Sequence, residues 1–121
     1  MDIVLNQVSE VPIYSQIYSQ ISRQILSGGI KPEEQLPTIR NIANDLKISV
    51  IPVKMAWEAL EKNGFIFTVP GRGTFARRID GEEIAIRHQK ELQKIAEEAC
   101  KKARDLNLGK EELLAMIEKC F

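Results

Sequence analysis

Apolar residues recur at spacings of three and four through residues 12–27, where Ile13, Tyr14, Ile17, Ile21, Ile25 and Leu26 share one side of a helical period. That pattern predicts a helix. Pro12 suits its first turn, where a missing N–H costs nothing, and Gly28-Gly29 stops it. A loop with two prolines follows, Lys31 to Pro37. Thr38 is placed to cap a short second helix with Ile39, Ile42, Ala43 and Leu46 inside. After a three-residue break, Ser49 is placed to cap a third helix that runs to about Asn63, with Val53, Ala56, Trp57 and Leu60 inside. Asn63-Gly64 ends it. Phe65–Val69 and Thr74–Ile79 have strand composition and flank the turn Pro70-Gly71-Arg72-Gly73, so they form a hairpin. Residues 1–10 show no clear period and read as an extended arm.

From Asp80 the texture changes. Residues 82–106 are charged and helical, with Leu92, Ile95, Ala96, Ala99, Ala103 and Leu106 as a stripe of mostly small apolar residues. Leu108-Gly109 breaks the pattern, and residues 110–120 form a last helix with Leu113, Leu114, Ile117 and Phe121 on one side. The predicted fold is mainly α with a small β-wing. A winged helix-turn-helix spans 1–79, with the arm at 1–10, and a two-helix C-terminal dimerisation segment spans 80–121. Two helices are too short to make an independent core. Their apolar residues Leu92, Ile95, Ala99, Ala103, Leu106, Leu113, Leu114 and Ile117 are therefore expected to pair with a second copy about a two-fold axis.

Composition narrows the function classes. The 121 residues are 44% hydrophobic and 28% charged, which fits one soluble domain or a small domain with an appendage. No run approaches the ~18 apolar residues of a membrane helix, and Met1 to Asn6 lack the features of a secretory signal. A cytoplasmic protein with no membrane partner is the expectation. Cys100 and Cys120 cannot make a disulfide framework or a four-ligand zinc site, and they read as reduced, half-buried helix residues. The one histidine, His88, reads as solvent-facing or at a dimer edge. No metal and no cofactor are expected. Gly71-Arg72-Gly73 is not a nucleotide fingerprint, because no helix follows it. With no nucleophile–base pair either, an enzyme is not expected. The net charge is zero, but residues 1–79 carry +2 and residues 80–121 carry −2. A neutral total therefore does not exclude a nucleic-acid partner.

Five segments are more specific than any period. They are Pro12-Ile13-Tyr14-x-Gln16-Ile17, Ile25-Leu26-Ser27-Gly28-Gly29-Ile30-Lys31-Pro32, Leu36-Pro37-Thr38-Ile39-Arg40-x-Ile42-Ala43, Ala59-Leu60-Glu61-Lys62-Asn63-Gly64-Phe65-Ile66 and Pro70-Gly71-Arg72-Gly73-Thr74-Phe75. In this order and spacing, the stretch from Pro12 to Ala76 resembles the DNA-binding domain of the GntR family of bacterial transcription regulators. It covers about half the chain. The 45 residues after Ala76 leave no room for the large effector domains of many relatives. A two-helix tail is similar to the short YtrA-like subgroup, in which such helices make the dimer.

The resemblance implies a homodimeric regulator, a repressor by expectation, on a palindromic site in double-stranded DNA. It implies DNA contact at Arg40. Lys54 lies on the outer side of the recognition helix. Arg72, between glycines, can enter a narrow minor groove beside Gly73, and Arg77 and Arg78 are placed for phosphate contact. The recognition helix departs from the family. Where relatives commonly read Ser-Arg-x-Thr-Val, this chain reads Ser49-Val50-Ile51-Pro52-Val53. Bidentate guanine readout is lost at Val50, and Val50 and Ile51 can pack on thymine methyls instead. Lys47 and Glu33 replace usual glycines. These departures keep a second reading open, a protein-interaction module on a winged-helix scaffold with weak or lost operator binding. Any small-molecule effector is unidentified. It is expected to be mostly apolar and to bind between the wing-bearing domain and the C-terminal helices or at the dimer interface.

Overall fold

A computed structural model describes residues 1–121, as two compact units, Met1–Ile79 and Asp80–Phe121. In the first unit, α1 (Ile13–Ser27), α2 (Ile39–Leu46) and α3 (Val50–Lys62) precede a two-stranded antiparallel hairpin of β1 (Ile66–Val69) and β2 (Gly73–Ala76). The register pairs Ile66 with Ala76 and Val69 with Gly73. Both strands are shorter than their composition suggested.

The core is built from one stripe of each helix. Ile17, Ile21 and Ile25 of α1 meet Val53, Ala56, Trp57 and Leu60 of α3, with Ile42 and Ala43 of α2 and Phe65 and Ile66 closing the end. Tyr14, placed inside by its spacing, is exposed. Ser22, unremarked in the sequence, is buried, its hydroxyl turned back to the Ser19 carbonyl at 3.1 Å. Asn63 donates to the Tyr18 hydroxyl at 2.8 Å, and Tyr18 meets Phe65 edge to face at 5.9 Å. This contact ties the end of α3 to α1.

The loop between α1 and α2 is part of the sheet edge. Glu33 N–H donates to Ala76 O, Ala76 N–H to Glu34 O and Leu36 N–H to Thr74 O, at 2.8–2.9 Å. Gln35 pairs with Phe75 as an isolated antiparallel bridge beside β2.

The arm is held by side chains. Gln16, Gln20 and Gln24 stand four apart on α1 and bond Asn6, Val4 and Asp2, two apart on the arm. Val4 N–H donates to Gln20 Oε1 at 2.8 Å, and Gln20 Nε2 returns to Val4 O at 2.6 Å. Asn6 and Gln16 repeat the pair at 2.8 and 2.9 Å, and Gln24 donates to Asp2 O at 2.8 Å. Ile3 and Leu5 turn inward onto the core between these rungs.

In the second unit, α4 (Gly81–Asp105) starts at Asp80, whose carboxylate accepts from the Glu83 N–H at 2.8 Å, and α5 (Lys110–Cys120) follows after a break at Leu108-Gly109. Glu82, Glu83, Glu111 and Glu112 sit in first turns, where negative charge suits the helix dipole. Cys100 and Cys120 are exposed, not half-buried, because Cys100 lines an open cleft with Leu108 and Leu113 and Cys120 stands at the uncovered end of α5. No helix is long and apolar enough to cross a membrane.

Candidate nucleic-acid interface

Thr38 caps α2 as its position predicts, accepting from the Asn41 N–H at 3.1 Å. Arg40 is thereby set in the first turn, exposed. A cation there opposes the positive end of the helix dipole, at a cost of about 0.3–1 kcal/mol.

α2 ends at Lys47 with a left-handed backbone (φ 57°), and α3 begins three residues later at Val50. Ser49 stands at the cap position, but its side chain makes no capping hydrogen bond. Pro52 removes one of the two partners that such a cap can use. A capping hydroxyl accepts from the second or third helical N–H, and Pro52, the third residue, has none. Ser49 stays exposed. Val50 is 46% exposed and Ile51 66%, while Val53, Ala56, Trp57 and Leu60 are buried behind them. Met55, one turn beyond Ile51, is also exposed, with Lys54 beside it. The outer face of the first two turns is therefore apolar with one cation. Met55 escaped the sequence reading, although its spacing of four from Ile51 put it on that face.

The wing turn is set by its sequence. Pro70 takes the second position of a tight turn and Gly71 the third, with φ 78°, and Arg72 N–H closes it on Val69 O at 3.0 Å. Gly73 follows at φ 128°, which only glycine adopts readily. Arg72 stands exposed at the tip. Arg77 and Arg78 lie beyond the end of β2 and are exposed, with the Arg77 N–H held by Phe65 O at 2.8 Å. A cleft lined by Gln35, Thr38, Arg40, Trp57, Gly73 and Thr74 brings the start of α2 against the base of the wing tip. Gln35 was not singled out from the sequence, since its role depends on the loop lying along β2.

In the second unit, Leu92, Ile95, Leu106, Leu114 and Ile117 are exposed, and Ala99 and Leu113 are half-buried. Ala103 is buried within the single chain, so it packs the turn between α4 and α5 instead of lying open. Ile86, Met116 and Phe121 add exposed apolar surface that the stripe did not include. No group of three or more His, Cys, Asp or Glu side chains could hold a metal ion.

Comparison with known proteins gives this geometry a context. Residues 13–76 match the family described as bacterial regulatory proteins, gntR family. The repressor YtrA of Bacillus subtilis is 39% identical over 67 residues, which are 55% of this chain and 52% of that protein. Three curated relatives matched at 36–40% identity are spanned over only 19% to 52% of their length. Among solved structures, a GntR family transcriptional regulator from Listeria monocytogenes superposes with a TM-score of 0.72 at 24% identity, covering 95% of this chain and 98% of that one. AraR(DBD) in complex with operator ORR3 superposes at 0.52 with 28% identity, covering 63% and 92%.

Proposed function

Since this chain belongs to the GntR family of bacterial regulatory proteins, we propose that it is a transcriptional repressor acting in the cytoplasm as a homodimer on a palindromic operator. The family is one of DNA-binding transcription regulators and not of enzymes. YtrA-like relatives stand among its matches.

The observation that carries the finer reading is the outer face of α3. Apolar Val50 and Ile51 are exposed at the first turn of the second helix in a helix-turn-helix, where side chains meet base edges in the major groove. Neither can hydrogen-bond a guanine. Both can pack on the C5-methyl of thymine. The uncapped Ser49 hydroxyl and Lys54 are free to reach phosphates, as are Arg40 and Arg77, while Arg72 enters the minor groove beside Gly73. Exposed Leu92, Ile95, Leu106, Leu114 and Ile117, with Ala99 and Leu113 at their margin, supply the surface for the two-fold pairing. Two recognition helices so related would read half-sites about one helical turn apart.

A gel shift on DNA from upstream of its own gene tests the reading, with a footprint to show two half-sites. Replacing thymine by uracil within a half-site removes only methyl groups and should weaken binding. A protein that shifts no DNA at low salt would instead be an interaction module on this scaffold. A single, unrepeated footprint would overturn the palindrome.

A further inference from the structure

We propose that Gln35 is a positioning residue that aims the wing-tip Arg72 at DNA. This inference rests on the DNA-binding reading above. The Gln35 side-chain amide donates to the Arg72 carbonyl at 3.0 Å, across 37 residues of sequence. The same nitrogen lies 2.6 Å from where a Cβ on Gly73 would stand. Gly73 is required for its φ of 128°, and a Cβ there would push the glutamine amide away from the Arg72 carbonyl. Gln35 itself is anchored, because its backbone bridges Phe75 and its neighbour Leu36 donates to Thr74 O at 2.8 Å.

The consequence follows from chain geometry. The tip turn is closed by one backbone bond, Arg72 N–H to Val69 O, which fixes the amide side of Arg72. The bond from Gln35 fixes its carbonyl side. With both flanking peptide planes held, the direction in which the Arg72 side chain leaves the hairpin is set before DNA arrives. A narrow minor groove admits an arginine from few directions, so holding the tip removes part of the ordering cost of binding. Gln35 also lines the cleft shared with Arg40 at the start of α2.

The test uses Gln35→Met, which keeps the length of the side chain and removes its donor. The probes are a duplex selected from random DNA on the wild-type protein, with its flanks rewritten as A-tracts or as G·C runs. Wild type should prefer the A-tract flanks. Gln35→Met should lose roughly three- to tenfold in affinity on A-tract flanks and little on G·C flanks, with an unchanged salt slope and melting temperature. In an Arg72→Ala background it should have no further effect. Backbone order parameters of the free protein give a readout that needs no DNA. They should fall at Arg72 and Gly73 from about 0.85 to below about 0.6 in Gln35→Met. An unchanged tip order, or an affinity loss that persists without Arg72, would overturn the proposal. If selection on wild type recovers no duplex, the DNA-binding reading itself fails, a result separate from a wild type that binds and a variant that matches it.

Discussion

Lys47 sits in a backbone conformation that costs an L-residue about 1–2 kcal/mol. Glycine would remove the strain at some cost in chain entropy. Lys47→Gly should therefore stabilise the protein by about 1 kcal/mol and raise the midpoint of thermal unfolding by a few degrees. A lower midpoint would mean that the lysine makes a contact worth more than the strain. The position was legible because the family pattern asks for glycine there. Asn107, also left-handed at φ 58°, was not, since asparagine tolerates that region and sends no signal. Ser49 and Pro52 make a second residue-scale case. Ser49→Ala should change stability little in the wild type. In a Pro52→Ala background, which restores the missing N–H, the same change should cost about 1 kcal/mol. Chemical denaturation of the four proteins completes that cycle, and equal costs in both backgrounds would refute the account of the missed cap.

The first three helices were legible because each buries one stripe against a common core, and burial forces a period near 3.6 on the sequence. The arm was not, because its partners are amide side chains and only Ile3 and Leu5 alternate inward, too few to stand out as a period of two. Removing one rung should nonetheless be measurable. Gln20→Ala deletes two solvent-exposed hydrogen bonds and should cost about 1 kcal/mol, with the Val4 amide losing its protection from hydrogen exchange. The wing makes a different prediction. Arg77→Ala should weaken binding to all sequences and make the salt dependence shallower by roughly 0.9 per lost phosphate contact. Arg72→Ala should remove the preference for A·T-rich flanks. Titrations at several salt concentrations on both kinds of flank separate the two, and mutants that match wild type on every probe would place the wing off the DNA.

The molecule is two units of unlike chemistry. The first buries a contiguous apolar core, leaves Val50, Ile51 and Met55 open on α3, and carries the net positive charge. The second leaves Leu92 68% exposed, with Ile95, Leu106, Leu114 and Ile117 open as well. Exposed apolar surface on this scale asks for a partner. Sedimentation at micromolar concentration should report twice 13.7 kDa, and Ile95→Glu, which puts a charge on the open face, should return the mass to 13.7 kDa while the first unit stays folded. A wild-type monomer at that concentration would refute the pairing. The stripe was legible from spacing, but its inward members were not. Ala99, Ala103 and Leu113 share the period of the open residues, and only the fold of α5 back toward α4 decides which of them a single chain already covers.

The glutamine rungs on α1 work as a vernier. Four residues of helix advance about 6.0 Å, while two residues of extended chain advance about 6.6 Å. The two scales drift apart by roughly 0.6 Å at each step, which flexible side chains absorb over the two steps between Gln16 and Gln24. The two inner rungs make paired bonds and the outermost, Gln24, makes one. A ladder of this kind measures its own length: the next rung past Gln24 would fall at Gly28, where α1 has already ended, so the helix sets how much of the arm can be held.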